Sequence, residues 1–451
     1  MIPRWVKTRL IPASSHMVDQ MRDSFVISGG LLSDKQGQDP IDVFVEGGII
    51  AEIGPVGSLK GKGLAVDATD ALVLPGFVDI QVHFRTPGGE ESEDISSGAA
   101  GAALGGVTAC VMMPNTIPTI DSVPLVKEVL AIGQRAPCEV HTSASVTQGR
   151  EGRQLVHFEE LYEAGVRVFT DDGTVVDDAE LMERALAATC DLPGSVISQH
   201  AEHSQMVEGG VINDGSVARR LGLKGRPREA EAVIVERDLA LAEATKGRYH
   251  VLHMSTSLAA DLVRAAKVSG VRVTAEVTPQ HLILTEEDVE RLGTSGKMNP
   301  PLRTAADVEA LRAGLFDGTI DAVATDHAPH SPASKDVGLA DAPPGMLGVE
   351  TMASVVWTEF VDTGLMSLER FVTLLSLAPA QIAGIGSQGQ PIQVGAPANI
   401  AVFDPTMQWT ADHGSLQSKS DNNPWVGVPL VGRVRHTICR GQLVVADGTL
   451  T

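Results

Sequence analysis

Eight apolar, strand-like runs alternate with helical segments through the middle of this chain, and few architectures accommodate that count. The runs lie near Leu72–Phe84, Val107–Pro114, Cys138–Val146, Val166–Thr170, Ser195–His200, Tyr249–Ser255, Val271–Thr278 and Asp321–His327. Most are short and dominated by apolar residues, the texture of strands buried on both faces. Among them Ala179–Ala188, Ala230–Ala244, Leu258–Ser269 and Ala305–Leu315 space their apolar residues at helical intervals. Eight β/α units in about 310 residues predict an α/β protein built on a (β/α)8 TIM barrel, a fold whose active sites lie at the carboxyl ends of the strands.

The chain ends have a different texture. Ser24–Gly30, Ile41–Gly48 and Ile49–Gly54 alternate apolar and polar residues between glycines, and so do Ala398–Asp404 and Thr437–Val445. Alternation with glycine punctuation indicates short strands. Both ends are expected to form one small β-sandwich domain, residues 25–71 with 390–451, and the barrel, residues 72–389, to be inserted between its halves. Residues 1–24 show no period and are set apart as an amino-terminal arm.

The 451 residues suffice for a large core plus a second domain. The 35 basic and 57 acidic residues leave a net charge of −22, which disfavours nucleic acid and anionic membranes as partners. An anionic small molecule must therefore be captured by local cations. Cys110, Cys138, Cys190 and Cys439 form no CxxC pair, so neither a disulfide framework nor a thiolate metal site is indicated, which agrees with a reducing cytoplasm. No run approaches the roughly 20 apolar residues of a membrane span.

The strand exits carry the chemistry. The first run ends in Val82-His83-Phe84-Arg85-Thr86-Pro87-Gly88, the second in Met113-Pro114-Asn115-Thr116 and the fourth in Asp171-Asp172-Gly173. His200 closes the fifth, His253 the sixth, and Asp326, His327 and His330 follow the eighth. Imidazole and carboxylate are ligands suited to zinc and similar divalent ions, with a position left for water. Any one of these residues could be a solvated polar group at a loop, but five such residues at five strand ends favour a metal centre. A bound ion lowers the pKa of water towards about 7, which suits hydrolysis, and Asp326 at the last strand could move the proton.

With these motifs the chain resembles the dihydroorotases of the cyclic amidohydrolase superfamily, in the bacterial form with aspartate between the metals. The likeness runs from about Phe25 to Leu443 and includes His83–Gly88, Gly106–Thr108, Met113–Thr116, Phe169–Gly173, Glu276–Leu282, Lys297–Arg303 and Asp326–His330. It implies reversible conversion of dihydroorotate and N-carbamoyl-aspartate in pyrimidine synthesis, with one or two zinc ions held by His83, Asp172, His200, His253 and Asp326. It makes Asp326 the proton shuttle, assigns Arg85, Asn115 and His330 to the substrate carboxylate, and sets Asn299 on the ring. It also makes Ala342–Glu350 a loop offering backbone groups to that ring. A homodimer and a complex with aspartate transcarbamoylase are the implied assemblies.

The chain departs from the family pattern twice. Gln81-Val82-His83 replaces the usual His-x-His, so an amide stands where an imidazole ligand is expected and one metal position should be weaker. His200-Ala201-Glu202-His203 differs from the family at its second and fourth positions. Two other functions compete. Dihydropyrimidinases, hydantoinases and allantoinases use a lysine on the fourth strand, and Val166–Gly173 contains none. A non-catalytic subunit partnering aspartate transcarbamoylase would have no need of Arg85, Asn115, His200, His253 and Asp326.

Overall fold

The structure, a computed structural model, describes residues 24–32 and 39–451. All but the last residue of the proposed arm, 1–24, lies outside the described residues. From the amino-terminal end come β1 (Ser24–Gly30), β2 (Ile41–Glu46), β3 (Ile49–Pro55) and β4 (Leu64–Asp67), which pair in the order β3-β2-β1-β4. A fifth strand, β5 (Leu72–Pro75), leaves this sheet and pairs antiparallel with a strand from the far end of the chain, Ile400–Thr410. Buried Phe25, Ile27, Val43, Val45 and Ile50 from the amino-terminal half pack with Val73, Ala398, Ile400, Val402 and Ile438 in one apolar cluster. Residues remote in sequence thus share one core between two sheets.

The run Leu72–Phe84, expected as one strand, is two. Gly76 separates β5 from β6 (Phe77–Val82), and a side chain on Gly76 would collide with Thr108 on the neighbouring strand. Backbone proximity, invisible in an unbroken apolar run, sets this division.

After β6 come β7 (Val107–Met112), β8 (Glu139–Thr142), β9 (Val168–Phe169) and β10 (Val196–Gln199). The two-residue strands β11 (Ile212–Asn213) and β12 (Gly225–Arg226) pair only with each other. Then follow β13 (Tyr249–Val251), β14 (Val273–Val277) and β15 (Ala322–Val323). One parallel sheet has the order β6-β7-β8 and the other β15-β14-β13-β10-β9. Single parallel bridges join the two sheets at both margins, Ala144 to Phe169 and Val82 to His327. The remaining strands, β16 (Ile400–Thr410), β17 (Pro429–Cys439), β18 (Gln442–Ala446) and β19 (Thr449–Leu450), complete the second antiparallel sheet.

The expected helices form at Ala179–Thr189, Glu229–Thr245, Ser257–Val268 and Ala305–Asp317. Asp178, Thr256 and Thr304 cap three of them by accepting hydrogen bonds from backbone N–H groups of the first turn. Helix Ile95–Leu104 bears directly on the active side of the fold. Gly98 within it leaves room for the ring of Phe84, since a side chain there would overlap that ring. Phe84 is fully buried, and the chain on either side of it, His83 and Arg85, is held at the mouth of the parallel strands.

Candidate active site

All five residues expected to hold metal follow parallel strands and are buried: His83 after β6, Asp172 after β9, His200 after β10, His253 after β13 and Asp326 after β15. Asp172 lies at their centre. On one side His83 Nε2 is 2.8 Å from Asp326 Oδ1 and 3.4 Å from Asp172 Oδ2. On the other side His200 Nδ1 and His253 Nε2 are 2.9 Å apart, and they lie 3.7 and 3.4 Å from Asp172 Oδ1. Ligand atoms of Asp172, His200 and His253 fall within 4.8 Å of one another, a spacing a single cation could span.

Electrostatics point the same way. Burial opposes charge on Asp172, but His253, His83 and His200 outweigh it and hold the carboxyl well below the usual carboxylate range. Burial also opposes a charged His253, yet Asp172 and Asp326 raise it to about 9. The carboxylates attract positive charge strongly enough for an imidazole to keep a proton, the demand a divalent ion would meet. His253 Nδ1 has no hydrogen-bond partner. Both His253, at φ 30°, and Asp326, at φ 48°, adopt left-handed backbone, a strain of about 1–3 kcal/mol each that concentrates at functional sites.

Gln81 meets the centre with its amide nitrogen, which donates to Asp172 Oδ1 at 3.3 Å and Asp326 Oδ1 at 3.4 Å. Its carbonyl oxygen is buried without a partner. An amide was expected here in place of an imidazole ligand, and the two facing carboxylates favour its donor end.

Arg85 and His330 come together beside the centre. Arg85 Nε donates to the carbonyl of Pro329 at 3.2 Å, and its Nη2 lies 3.5 Å from His330 Nε2. His330 Nε2 donates to Pro344 O at 2.8 Å, so the approach of Arg85 is a contact of charge with ring rather than a second hydrogen bond. Burial and then Arg85 push the His330 pKa down to about 3, and burial brings Arg85 to about 10 against the pull of Asp326 and Asp172. Arg85 is thus a half-buried cation beside a neutral imidazole. Asn115 contacts His83 instead, accepting at Oδ1 from Nδ1 across 2.9 Å. Asn299 is half-buried and lines a cleft of about 550 Å³ with His200, Glu202, Arg150 and Gly173.

The loop after β15 is tied down. Lys335 Nζ donates to the carbonyls of Thr294, Pro343 and Gly345 at 2.8–3.0 Å, Lys297 Nζ to Ala340 O at 2.9 Å, and Asn422 Nδ2 to Gly345 O at 3.0 Å. Burial and then Lys297 lower the Lys335 pKa to about 7.

Several residues around the centre escaped sequence reasoning. Glu202, fully buried, lies 3.3 Å from His200 Nε2 and 2.7 Å from Arg226 Nη1. Burial opposes its charge, but His200 and Arg226 bring its pKa to about 2. Arg303, also buried, donates to Ser255, Asn213 and the carbonyl of Arg226. Glu276 lies 3.2 Å from His250, and Glu93 lies 3.5 Å from His327. Glu202 was visible only as an unusual neighbour of His200, and Arg303 only as the last residue of Lys297–Arg303.

A family profile described as Dihydro-orotase-like matches residues 70–258. The dihydroorotase of Streptomyces coelicolor is 43% identical over 418 residues, covering 92% of this chain and 97% of its own. That of Mycobacterium tuberculosis is 43% identical over 414 residues, covering 91% and 96%. The chain belongs to the dihydroorotase family. Among solved structures, the L-hydantoinase (dihydropyrimidinase) of Arthrobacter aurescens superposes with a TM-score of 0.85 at 26% identity, covering 95% of this chain and 97% of that one. The dihydropyrimidinase of Brevibacillus agri, at 24% identity and a TM-score of 0.80, shares the fold. This dihydroorotase-family chain is therefore an α/β protein with a separate sheet domain, akin in fold to other cyclic amidohydrolases. No helix among the described residues is long and apolar enough to cross a membrane.

Proposed function

We propose that this chain is a metal-dependent dihydroorotase, interconverting dihydroorotate and N-carbamoyl-aspartate in pyrimidine synthesis. The observation that carries the reading is the convergence of His83, Asp172, His200, His253 and Asp326 beside Arg85, a half-buried arginine. The bridges at Ala144·Phe169 and Val82·His327 support reading the eight parallel strands as a closed (β/α)8 barrel, with the terminal sheets as its sandwich domain. Strand β5 then belongs with the sandwich, and the barrel begins at Phe77.

His83, Asp172, His200, His253 and Asp326 would hold zinc. When bound, a divalent ion supplies Lewis acidity towards the ring carbonyl and the attacking water. Asp326 accepts the proton of that water and returns it to the departing ring nitrogen, acting as base and then acid. Arg85 holds the substrate carboxylate with a geometry matched to its two oxygens, aided by Asn115 and by neutral His330. Asn299, on the wall of the adjoining cleft, is assigned to the ring. The lysine on which hydantoinase-type chemistry depends is missing from Val166–Gly173, which favours dihydroorotate over hydantoin.

Dihydroorotate hydrolysis measured on zinc-loaded and chelator-treated protein tests the reading. Activity that appears with zinc and disappears with chelator is expected, and a zinc-loaded protein inert towards dihydroorotate overturns it.

A further inference from the structure

The backbone groups on either side of Pro329 are held by a residue from the far end of the chain. Asn422 lies in the connection 411–428 between β16 and β17, and it is fully buried. Its Nδ2 donates to Ala328 O at 2.9 Å and to Gly345 O at 3.0 Å, and its Oδ1 accepts from His330 N–H at 3.2 Å. Its main-chain carbonyl accepts from Leu347 N–H at 3.1 Å. Both amide protons and both oxygens of Asn422 are thus engaged. Among the described residues, Ala328 O and His330 N–H have no other partner.

These contacts bracket the pair of side chains assigned to the substrate carboxylate. Between Ala328 and His330 sits Pro329, whose carbonyl accepts from Arg85 Nε at 3.2 Å. His330 Nε2 in turn donates to Pro344 O at 2.8 Å, next to Gly345. Packing there is close: a Cβ on Gly345 would lie 2.7 Å from Ala328 Cβ and 3.0 Å from His330 Nε2. The two stretches run side by side, with Ala328 N–H donating to Met346 O at 2.8 Å, and Asn422 joins them a second time. The rest of the connection is anchored independently of the Asn422 side chain. Ser418 Oγ donates to Glu93 Oε2 at 2.5 Å, Lys419 Nζ to Glu90 O at 2.9 Å and Ser420 Oγ to Ser92 O at 2.8 Å.

On the reading of function above, we infer that Asn422 is a positioning residue for substrate recognition, holding Ala328–His330 against Gly345 so that Arg85 and His330 converge on one carboxylate. Removing its amide leaves a buried carbonyl and a buried N–H unpaired on either side of Pro329, and both find new partners only if the backbone moves. That movement carries with it the Pro329 carbonyl that receives Arg85 and the backbone that bears the His330 ring. The substrate carboxylate is not the group that reacts, so its hold is common to the ground and transition states, and weakening it raises KM more than it lowers kcat. A merely structural role would reduce the amount of competent enzyme, which lowers apparent kcat and leaves KM as it was.

The test measures kcat and KM for dihydroorotate on the zinc-loaded full chain, its Asn422→Ala variant and its Asn422→Ser variant, with urea midpoints of all three to report folding separately. Asn422→Ala should raise KM about tenfold or more while kcat changes by less than about threefold, since small misplacements of binding groups carry costs of that order. Asn422→Ser, whose hydroxyl can still donate to one of the two carbonyls, should raise KM to a smaller extent. An unchanged KM in Asn422→Ala overturns the assignment, and so does a fall in kcat at unchanged KM. Where Asn422→Ala does not fold, Asn422→Ser decides, and an unchanged KM there overturns it equally. An unmodified, zinc-loaded protein inert towards dihydroorotate overturns the dihydroorotase reading, and this inference with it.

Discussion

His83 Nε2 lies 2.8 Å from Asp326 Oδ1, across the margin where the Val82·His327 bridge brings the first and last parallel strands together. The proposed proton carrier is thus set by strand pairing and by its own strained backbone, not by a flexible loop. Asp326→Asn keeps the side-chain shape while removing charge and basicity. Dihydroorotate turnover should fall by roughly 10²–10⁴ or more. Steady-state hydrolysis by the zinc-loaded variant checks this, and near-normal turnover would remove Asp326 from the mechanism.

Gln81 occupies the position of an imidazole and presents an amide nitrogen to Asp172 and Asp326. A donor N–H group contributes nothing to a cation, so the His83 side of the centre should hold metal less tightly than the side built from His200 and His253. After dialysis the unmodified protein should retain fewer than two tightly bound metals per chain, and Gln81→His should retain more. Metal analysis of both proteins decides the matter, with two fully retained metals in the unmodified protein as the contrary result.

The path from sequence to site was direct wherever periodicity carried the information. All eight expected runs contain a parallel strand, because buried strands and amphipathic helices leave their period in the residues. Chemistry-bearing residues at strand ends were equally legible, since His83 and Asp326 interrupt apolar runs. The break at Gly76 was not, because it depends on Thr108 in a strand some thirty residues away. Neither were Glu202, Arg226 and Arg303, whose contacts join segments far apart in the chain. Their significance comes from pairing in three dimensions, and an isolated Glu or Arg carries no trace of its partner.

Glu350 offers a check on the buried electrostatics away from the metal centre. Burial raises its carboxyl to about 7, although Gln417 N–H donates to it at 2.9 Å and Arg433 lowers it; Glu93 adds to the rise. In the unfolded chain this group ionises near its ordinary value of 4.5. Between that value and about 7 the folded state holds the extra proton, so the stability it contributes is full at the acid end and declines as pH rises. Glu350→Gln keeps an acceptor for Gln417 and cannot titrate. Relative to the unmodified protein, the variant should gain stability as pH goes from 5 to 8. Urea midpoints at the two pH values measure the gap, and a gap that does not change with pH would count against a raised carboxyl.

Substrate choice should rest on Arg85, whose guanidinium lies half-buried beside Pro329 and His330. Its pKa is brought down to about 10, chiefly by lost hydration, so the cation is poorly solvated and gains most from a carboxylate. A ring lacking that carboxylate leaves the guanidinium unpaired, at a cost of about 1–3 kcal/mol or more. Dihydroorotate should therefore be opened at least tens of times faster than dihydrouracil. Arg85→Met removes the charge and retains bulk, so it should depress the dihydroorotate reaction while leaving dihydrouracil nearly unchanged. The measurement is kcat/KM for both substrates on both proteins. Equal rates in the unmodified enzyme, or a preference that survives Arg85→Met, would move the carboxylate site away from Arg85 and with it the assignment of Asn115 and His330.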